Sequence, residues 1–283
     1  MMKNLTKDWL KQLPISNIEN IRPVSGGDIN DSYEVIANGQ QYFMKVQPQK
    51  GKEFFAHEVQ GLKMLGEHCR VPEIVDYGEI DGDGYLIQKW LNLSPFGDQS
   101  QIGTMLAKVH ECHNDKFGLD NDFKMGRIPK NNTWQDSWTT FFTKQRLDPL
   151  VQMAIDKGGF TTDDINKYNN LKQQFYVDMK NHKPEPSLLH GDFWSGNFTF
   201  TNDGKGMLID PDVYFGDREF DIGVSTVFGG FDDNFYSAYN KEYPLDEGWQ
   251  NRIKYYQFFY LLMHYVLFGG MFKMSVDRIL NQF

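Results

Sequence analysis

The stretch LLHGDFWSGNFTFTNDGKGMLIDPD, residues 188–212, indicates most about the fold and the chemistry of this chain. Two short apolar segments, 198–200 and 206–209, flank the turn-forming residues TNDGK, so we expect a β-hairpin here. Asn197 precedes the first strand of this hairpin, and Asp210 follows the second. Because the two ends of a hairpin lie side by side, both side chains are predicted at the same end of the hairpin.

The polar residues of this stretch have the types and the order that phosphoryl transfer requires. An amide oxygen and a carboxylate are hard ligands that suit Mg²⁺ better than zinc, so Asn197 and Asp210 are candidate metal ligands. Asp192 lies on the preceding loop, where it can accept the proton of a substrate hydroxyl, and His190 is predicted to brace that loop. The alternative is a purely structural stretch, because these residue types also form ordinary turns and caps.

The N-terminal part of the chain is predicted to form a small antiparallel sheet with one helix. Ser32–Ala37 and Gln41–Val46 are rich in β-prone residues and are joined across Asn38–Gly39, a strong hairpin signal. A further short strand is expected on their N-terminal side. Residues 53–67, EFFAHEVQGLKMLGE, place apolar side chains at helical spacing.

Two charged side chains of these elements stand among apolar neighbours. Lys45 lies inside the strand QYFMKV, and Glu58 lies in the middle of the helix, where an unpaired carboxylate would be costly. An ion pair between them is therefore predicted, as in kinases; a solvent-facing lysine is the alternative. The turn at Gly26 and Gly27 is a candidate phosphate-binding segment, although it lacks the full G-x-G-x-x-G pattern.

The strand GYLIQKWL, residues 84–91, is predicted to lead into a connection between two lobes. The backbone of Gln88, Trp90 and Leu91 is a candidate to hydrogen-bond an adenine. Turn-forming residues follow at 92–97, and the rest of the chain is mainly helical in pattern. The sequence therefore predicts a two-lobed α+β protein, with residues 1–91 as a small N-lobe and residues 92–283 as a larger helical C-lobe.

The composition argues against several classes of function. A formal net charge of −9 disfavours a nucleic-acid partner, because such binding depends on neutralising phosphates with Lys and Arg. Two cysteines cannot build a disulfide framework and fit a reducing, cytoplasmic compartment. Residues 255–272 carry no Asp, Glu, Lys or Arg, but polar and glycine residues interrupt them, so we expect a buried core helix and no membrane partner.

In their order along the chain, these features resemble the fructosamine kinase (ketosamine kinase) family, in the aminoglycoside-phosphotransferase-like branch of the kinase fold. The resemblance covers nearly the whole chain and is carried by the helix around Glu58 and by VSGGDINDSYEV, FMKV, IPKNNTWQDSWTTFFTKQRLDPL, HGDFWSGN, LIDPDVYFGDREFDIG and FGGF. It implies a bilobal, protein-kinase-like fold. It also implies a kinase that uses ATP and Mg²⁺ to phosphorylate a sugar hydroxyl of a fructosamine or ketosamine, either free or attached to a protein.

The resemblance also implies roles for individual residues. Asp192 would be the catalytic base, and Asn197 and Asp210 would hold Mg²⁺. Lys45 would contact the nucleotide phosphates, with Glu58 as its partner.

On the substrate side the resemblance implies Trp194 and Asp217, and it implies that Asp221 supports the catalytic loop from the next helix. Asp212 departs from the pattern, because a small residue is expected there. Two alternatives stay open. One is a kinase for an aminoglycoside, a choline-like compound or another amino alcohol, and the other is a nucleotide-binding regulator without turnover. The sequence does not indicate an oligomeric state.

Overall fold

The structure is a computed structural model that describes residues 5–24 and 30–283. The chain divides into two compact units, one made of residues 1–97 and 199–210 and the other of residues 98–198 and 211–283. Most of the hairpin predicted from the sequence thus groups with the first unit. The predicted lobe boundary after residue 91 stays a prediction, and the turn at Gly26 and Gly27 lies outside the described residues.

The first unit is built on a five-stranded antiparallel sheet. Asn38 and Gly39 have φ angles of 51° and 69°, the type I′ geometry of tight hairpins, which confirms the predicted hairpin. Asp81 and Gly82 form a second turn of this kind, with φ angles of 52° and 84°. The strand order is β1-β2-β3-β5-β4, with β1 at Ile18–Pro23, β2 at Asp31–Ala37, β3 at Gln40–Gln47, β4 at Ile74–Ile80 and β5 at Asp83–Lys89.

Alternation of side chains along β3 separates its apolar residues from its lysine. Met44 and Val46 enter the core on one face of the sheet with Trp9, which belongs to the short helix α1 (Lys7–Leu10). Lys45 lies opposite Leu86 of β5, and Leu86 packs with Phe55 and Val59 of helix α2 (Glu53–Gly66). Because neighbouring strand residues point to opposite faces, Lys45 points to the face that α2 covers.

The first unit also contains most of a small three-stranded sheet. Its order is β11-β10-β6, with β6 at Leu93–Ser94, β10 at Phe198–Thr201 and β11 at Gly206–Leu208. This confirms the predicted hairpin, in which Asn197 directly precedes β10 and Asp210 follows β11 by two residues. Asp210, two residues beyond β11, is the last residue of the second segment of the first unit.

The second unit is mainly helical. Its helices are α3 (Ser100–His110), α4 (Trp138–Thr140), α5 (Asp148–Asp156), α6 (Thr162–Asp178), α7 (Glu219–Ser225), α8 (Asp233–Glu242), α9 (Trp249–Phe268) and α10 (Lys273–Leu280). A π-helical stretch, Phe141–Leu147, joins α4 to α5. The unit also contains two 3-10 helices, Ser195–Asn197 and Gly270–Phe272, and two short strand pairs: β7 (Phe123–Met125) with β8 (Ile128–Lys130), and β9 (Ser187–Leu189) with β12 (Tyr214–Gly216).

Helix α9 corresponds to the apolar segment predicted as a core helix. Its buried side chains include Tyr256, Phe259 and Leu262. The helix ends at Phe268, because Gly269 takes a φ of 94°, where glycine is favoured. Across residues 5–24 and 30–283, none of the helices is both long enough and apolar enough to cross a membrane.

Candidate active site

In the first unit, Lys45 lies between two carboxylates. Its Nζ is 2.8 Å from Oε1 of Glu58 and 2.5 Å from Oδ1 of Asp210. The predicted Lys45–Glu58 ion pair is therefore present, and Asp210 extends it to three charges. The side chains of Lys45 and Glu58 are 8% and 16% exposed, whereas that of Asp210 is 44% exposed. The cluster is thus closed at Lys45 and open at Asp210.

The charges of this cluster favour a permanent cation at Lys45. Burial alone would lower the pKa of Lys45, but the charges of Glu58 and Asp210 raise it above its ordinary value. Burial raises the pKa of Glu58, an effect that the charge of Lys45 opposes. Lys45 therefore stays protonated and has the compact positive charge with which lysine binds phosphate groups.

Asp210 has an unusual backbone conformation. Its φ is 50°, in the left-handed region that non-glycine residues adopt rarely and that Asp and Asn tolerate best. The conformation occurs where the chain leaves β11 and turns into Pro211. Residues held in such conformations cluster at functional sites, which agrees with a ligand-binding role for the exposed carboxylate.

In the second unit, both carboxylate oxygens of Asp192 accept hydrogen bonds. The hydroxyl of Tyr260 donates to Oδ1 at 2.7 Å, and Nδ2 of Asn197 donates to Oδ2 at 2.9 Å. Asn197 is buried, and its amide nitrogen also donates to the backbone carbonyl of Asp192. Because the nitrogen is engaged with Asp192, the amide oxygen is the atom of Asn197 that can ligate a cation.

Tyr260 is a site residue that the sequence did not suggest. It lies on α9, 68 positions after Asp192, in a segment whose apolar pattern indicated only a core helix. Burial and then the charge of Asp192 raise the pKa of Tyr260 far above its ordinary value. The hydroxyl therefore stays protonated and holds the carboxylate by donation.

Asp221 of α7 holds the backbone of the loop that carries Asp192. Its Oδ2 accepts the N–H of His190 at 2.7 Å, and its Oδ1 accepts the N–H of Gly191 at 3.0 Å. Nε2 of the buried His110 lies 3.1 Å from the same carboxylate. The ring of His190 is buried, and its Nδ1 accepts a hydrogen bond from the Asp192 N–H at 3.4 Å. The predicted supporting residues are thus bonded to the loop.

The two residues expected on the substrate side occupy different environments. Trp194 is 36% exposed, with its ring centroid 6.2 Å from that of Phe228 in an edge-on contact. Asp217 is fully buried: its Oδ2 accepts hydrogen bonds from His182 and Tyr256. The placement of Asp217 differs from the expectation, because its carboxylate is used inside the protein.

The segment expected to contact an adenine also differs in part from the prediction. Gln88 lies within β5 and is buried, so it is not a loop residue. The N–H of Trp90 donates to the backbone carbonyl of Gln41 at 3.3 Å. Leu91 lies beyond the end of β5 and is half-buried. The connection to the following segment therefore begins only after Lys89.

Asp217 belongs to a buried charged cluster that the sequence did not reveal. The side chains of His182, Asp217 and Glu219 lie close enough together to suggest a metal site. Arg252, however, donates to both oxygens of Glu219 at 2.8 and 2.6 Å, and Tyr256 donates to Asp217 at 2.6 Å. A cation would have to displace these donors, so the cluster is an internal ion-pair network.

A strand lysine paired with a helix glutamate, a carboxylate after a hairpin and an Asp-bearing loop followed by Asn are the parts of a kinase-like phosphotransferase. A solved structure is similar in fold. An aminoglycoside phosphotransferase in ternary complex with AMP-PNP and hygromycin B has a TM-score of 0.67 at 13% identity and covers 98% of both chains, a similarity of fold. The fold is thus α+β and protein-kinase-like.

Closer relatives identify the family. Residues 1–283 match the sequence profile of the family described as fructosamine kinase. A protein of Lactiplantibacillus plantarum, named a probable ketoamine kinase, is 48% identical over 280 residues, which are 99% of this chain and 100% of that protein. A crystal structure from Haemophilus somnus, of a candidate fructosamine-3-kinase, has a TM-score of 0.83 at 30% identity and covers 94% of this chain and 91% of that chain. The chain belongs to the fructosamine kinase family and is an ATP-dependent phosphotransferase.

Proposed function

We propose that this enzyme transfers the γ-phosphoryl group of Mg–ATP to a sugar hydroxyl of a ketosamine, either a free fructosamine-type compound or one attached to a protein. The observation that carries the proposal is the fixed carboxylate of Asp192, which Tyr260 and Asn197 orient from two sides. These two hydrogen bonds fix the orientation of the carboxylate, which a general base needs in order to meet the proton that it accepts. Membership of the fructosamine kinase family supports the choice of substrate.

In the proposed reaction, the oxygen of the substrate hydroxyl forms a bond to the γ-phosphorus while Asp192 accepts the proton of that hydroxyl. The bond between that phosphorus and the β–γ bridging oxygen breaks, and ADP leaves. Lys45 binds the nucleotide phosphates as a fixed cation. The amide oxygen of Asn197 and the carboxylate of Asp210 are hard donors that fit Mg²⁺, which when bound neutralises phosphate charge.

Trp194 is the remaining candidate for contact with the substrate. Its ring is partly exposed on the same loop, two residues after Asp192. An aromatic face attracts cations, and the amine of a ketosamine is such a group when protonated. Contacts of the nucleotide with Gly26, Gly27, Gln88, Trp90 and Leu91 stay predictions, and we propose from the cysteine content that the enzyme works in the cytoplasm.

The proposal is tested by measuring ADP release with a panel of acceptors. We expect turnover with a ketosamine to exceed turnover with an aminoglycoside or choline, and a preference for either of those compounds would replace the ketosamine assignment. A mass shift of one phosphoryl group on the ketosamine would identify the product.

The role of the base is tested by Asp192→Asn. Loss of the proton acceptor is expected to lower kcat by about 10³-fold or more, while the Kd for ATP changes by less than about threefold. Asp136→Asn is the matched control, because Asp136 is an exposed acid of the same unit that pairs with Lys116 in an exposed ion pair. Wild-type turnover in the Asp192 variant would show that another group accepts the proton.

A further inference from the structure

Lys130 and Asp212 form an ion pair inside the second unit. Nζ of Lys130, at the end of β8, contacts Oδ2 of Asp212, 82 positions later in the chain. The two residues are 3% and 4% exposed. A buried charge is costly unless a partner compensates it, so each residue explains the presence of the other. This contact accounts for an acid at position 212, where a small residue was expected.

The backbone of Asp212 is joined directly to the loop that carries Asp192. The N–H of Asp212 donates to the carbonyl of His190 at 2.8 Å. Gly191 has a φ of 81°, and a Cβ at that position would lie 1.9 Å from the carbonyl oxygen of Asp212. The Asp212 backbone therefore fits against the two residues that immediately precede Asp192, with no room for a side chain between them.

Charge links the pair to Asp192 as well. Burial and then the charge of Arg146 lower the pKa of Lys130 well below its ordinary value, and Asp192 opposes this shift. Arg146 is itself buried, with its guanidinium 4.5 and 4.6 Å from the ring centroids of Phe141 and Tyr214. A neighbouring negative charge favours the protonated form of a lysine, and the carboxylate in direct contact with Lys130 is that of Asp212.

We propose that Lys130 and Asp212 are a positioning pair for the catalytic loop. The Asp212 backbone holds His190 and Gly191, while Lys130 anchors the Asp212 side chain and cancels the negative charge that it would otherwise place near Asp192. Neither residue touches the reacting atoms. The effect on turnover rests on the proposed function, because it takes Asp192 as the base, whereas the effect on the loop does not.

The pair is tested with Lys130→Met, Asp212→Ala and the double variant. Lys130→Met removes the cation that contacts the buried Asp212 carboxylate, so we expect kcat to fall by about tenfold or more, with the KM for ATP changed by less than about threefold. In the double variant neither charge remains, and kcat is expected to return to within about threefold of wild type. A double variant as impaired as Lys130→Met would overturn the proposal.

Hydrogen exchange of peptides that cover residues 188–197 gives a readout that needs no substrate. We expect faster exchange of these amides in Lys130→Met and restored protection in the double variant. Lys116→Met is the matched control, because Lys116 forms an ion pair whose partners are 51% and 84% exposed in the same unit, and it should leave both readouts unchanged. Unchanged exchange of the loop in Lys130→Met would refute the positioning role.

If Lys130→Met does not fold, Asp212→Ala and the double variant still decide the matter. Without the Asp212 carboxylate, burial and the charge of Arg146, which lower the pKa of Lys130, favour its neutral amine, so no uncompensated charge is left. The two variants should therefore agree in kcat and in loop exchange within about twofold. A larger difference would show that Lys130 acts independently of Asp212. If the wild type does not phosphorylate any ketosamine, the proposed function fails, while loop exchange still decides whether the pair positions the loop.

Discussion

Two charged clusters in this protein are built from the same kinds of side chain and differ in how far they are closed. In the first unit, Lys45 is shared between Glu58 and Asp210, and the outer carboxylate is 44% exposed. In the second unit, the side chains of His182, Asp217, Glu219 and Arg252 are each less than a tenth exposed. In a closed cluster the charges pair with one another inside the protein, whereas an open cluster leaves a carboxylate accessible to a ligand.

The largest expected effect is at the open end of the first cluster. Asp210→Asn removes the carboxylate charge but keeps a residue that tolerates the left-handed conformation, so the fold should be retained. Loss of the anionic ligand is expected to lower kcat by about 10³-fold, with a change of less than about 1 kcal/mol in unfolding free energy. Steady-state kinetics and urea unfolding measure the two quantities.

Asp203→Asn is the control for this variant. Asp203 belongs to the same unit and its side chain is 48% exposed, but it pairs with Lys205 of the hairpin and with Arg70, which follows α2. We expect its kcat to stay within about twofold of wild type, as for ordinary surface substitutions. Equal losses in the two variants would mean that Asp210 has no special function.

A smaller effect is expected at Lys45, the buried cation of the first cluster. Lys45→Met keeps the aliphatic length of the side chain and removes its cation, so kcat/KM for ATP should fall by about 10²-fold. Lys89→Met is the control, because Lys89 pairs with Glu73 on the surface of the same unit. If Lys45→Met lowered only stability and left kcat/KM unchanged, the first cluster would be structural like the second.

The elements of the fold that could be predicted from the sequence are those with a local sequence signal. Asn38–Gly39 announced a hairpin because both positions need positive φ. The same signal stands at Asp81–Gly82, but β4 was missed because its sequence IVDYGEI has no clear alternation of apolar and polar residues. The π-helical stretch at Phe141–Leu147 was missed because the pattern of apolar residues there indicated an ordinary helix.

The residues of the candidate site could likewise be predicted only where the sequence carries a local signal. Lys45 and Glu58 could be paired because each was out of place among apolar neighbours and the kinase pattern joins such positions. Tyr260 and Lys130 could not be found, since their partners lie 68 and 82 positions away and their own segments carry no motif. Asp217 was misplaced because a motif gives a residue's neighbours in sequence and not its burial.

In the closed cluster of the second unit, we expect a substitution to lower the stability of the protein. Asp217→Ala removes the acceptor of His182, Tyr256 and the Glu219 N–H, and leaves an imidazolium without its buried partner. Unfolding free energy should fall by about 3 kcal/mol. Asp246→Ala is the control at the exposed edge of the network, where Asp246 is 57% exposed, and should cost less than about 1 kcal/mol. Similar losses for both would mean that burial does not distinguish the two acids.

The smallest expected effect is the pH dependence that His182 gives to the closed cluster. Burial alone would lower its pKa, but the hydrogen bond and charge of Asp217, followed by the charge of Glu219, raise the pKa above the ordinary value of 6.5. The folded protein therefore holds this proton more tightly than the unfolded chain. The stabilisation is complete below the unfolded pKa and is lost as the pH rises through the folded one.

His182→Gln should remove this dependence. Urea unfolding of wild type and variant between about pH 6 and pH 8 gives the difference in unfolding free energy, from which the titration of all other groups largely cancels. This difference should shrink as the pH rises, by at most about 1.4 kcal/mol per pH unit, because one proton is involved. Parallel curves would show that His182 does not gain affinity for its proton on folding. A decline confined to stability, with the pH profile of kcat unchanged, would separate the closed cluster from the catalytic chemistry.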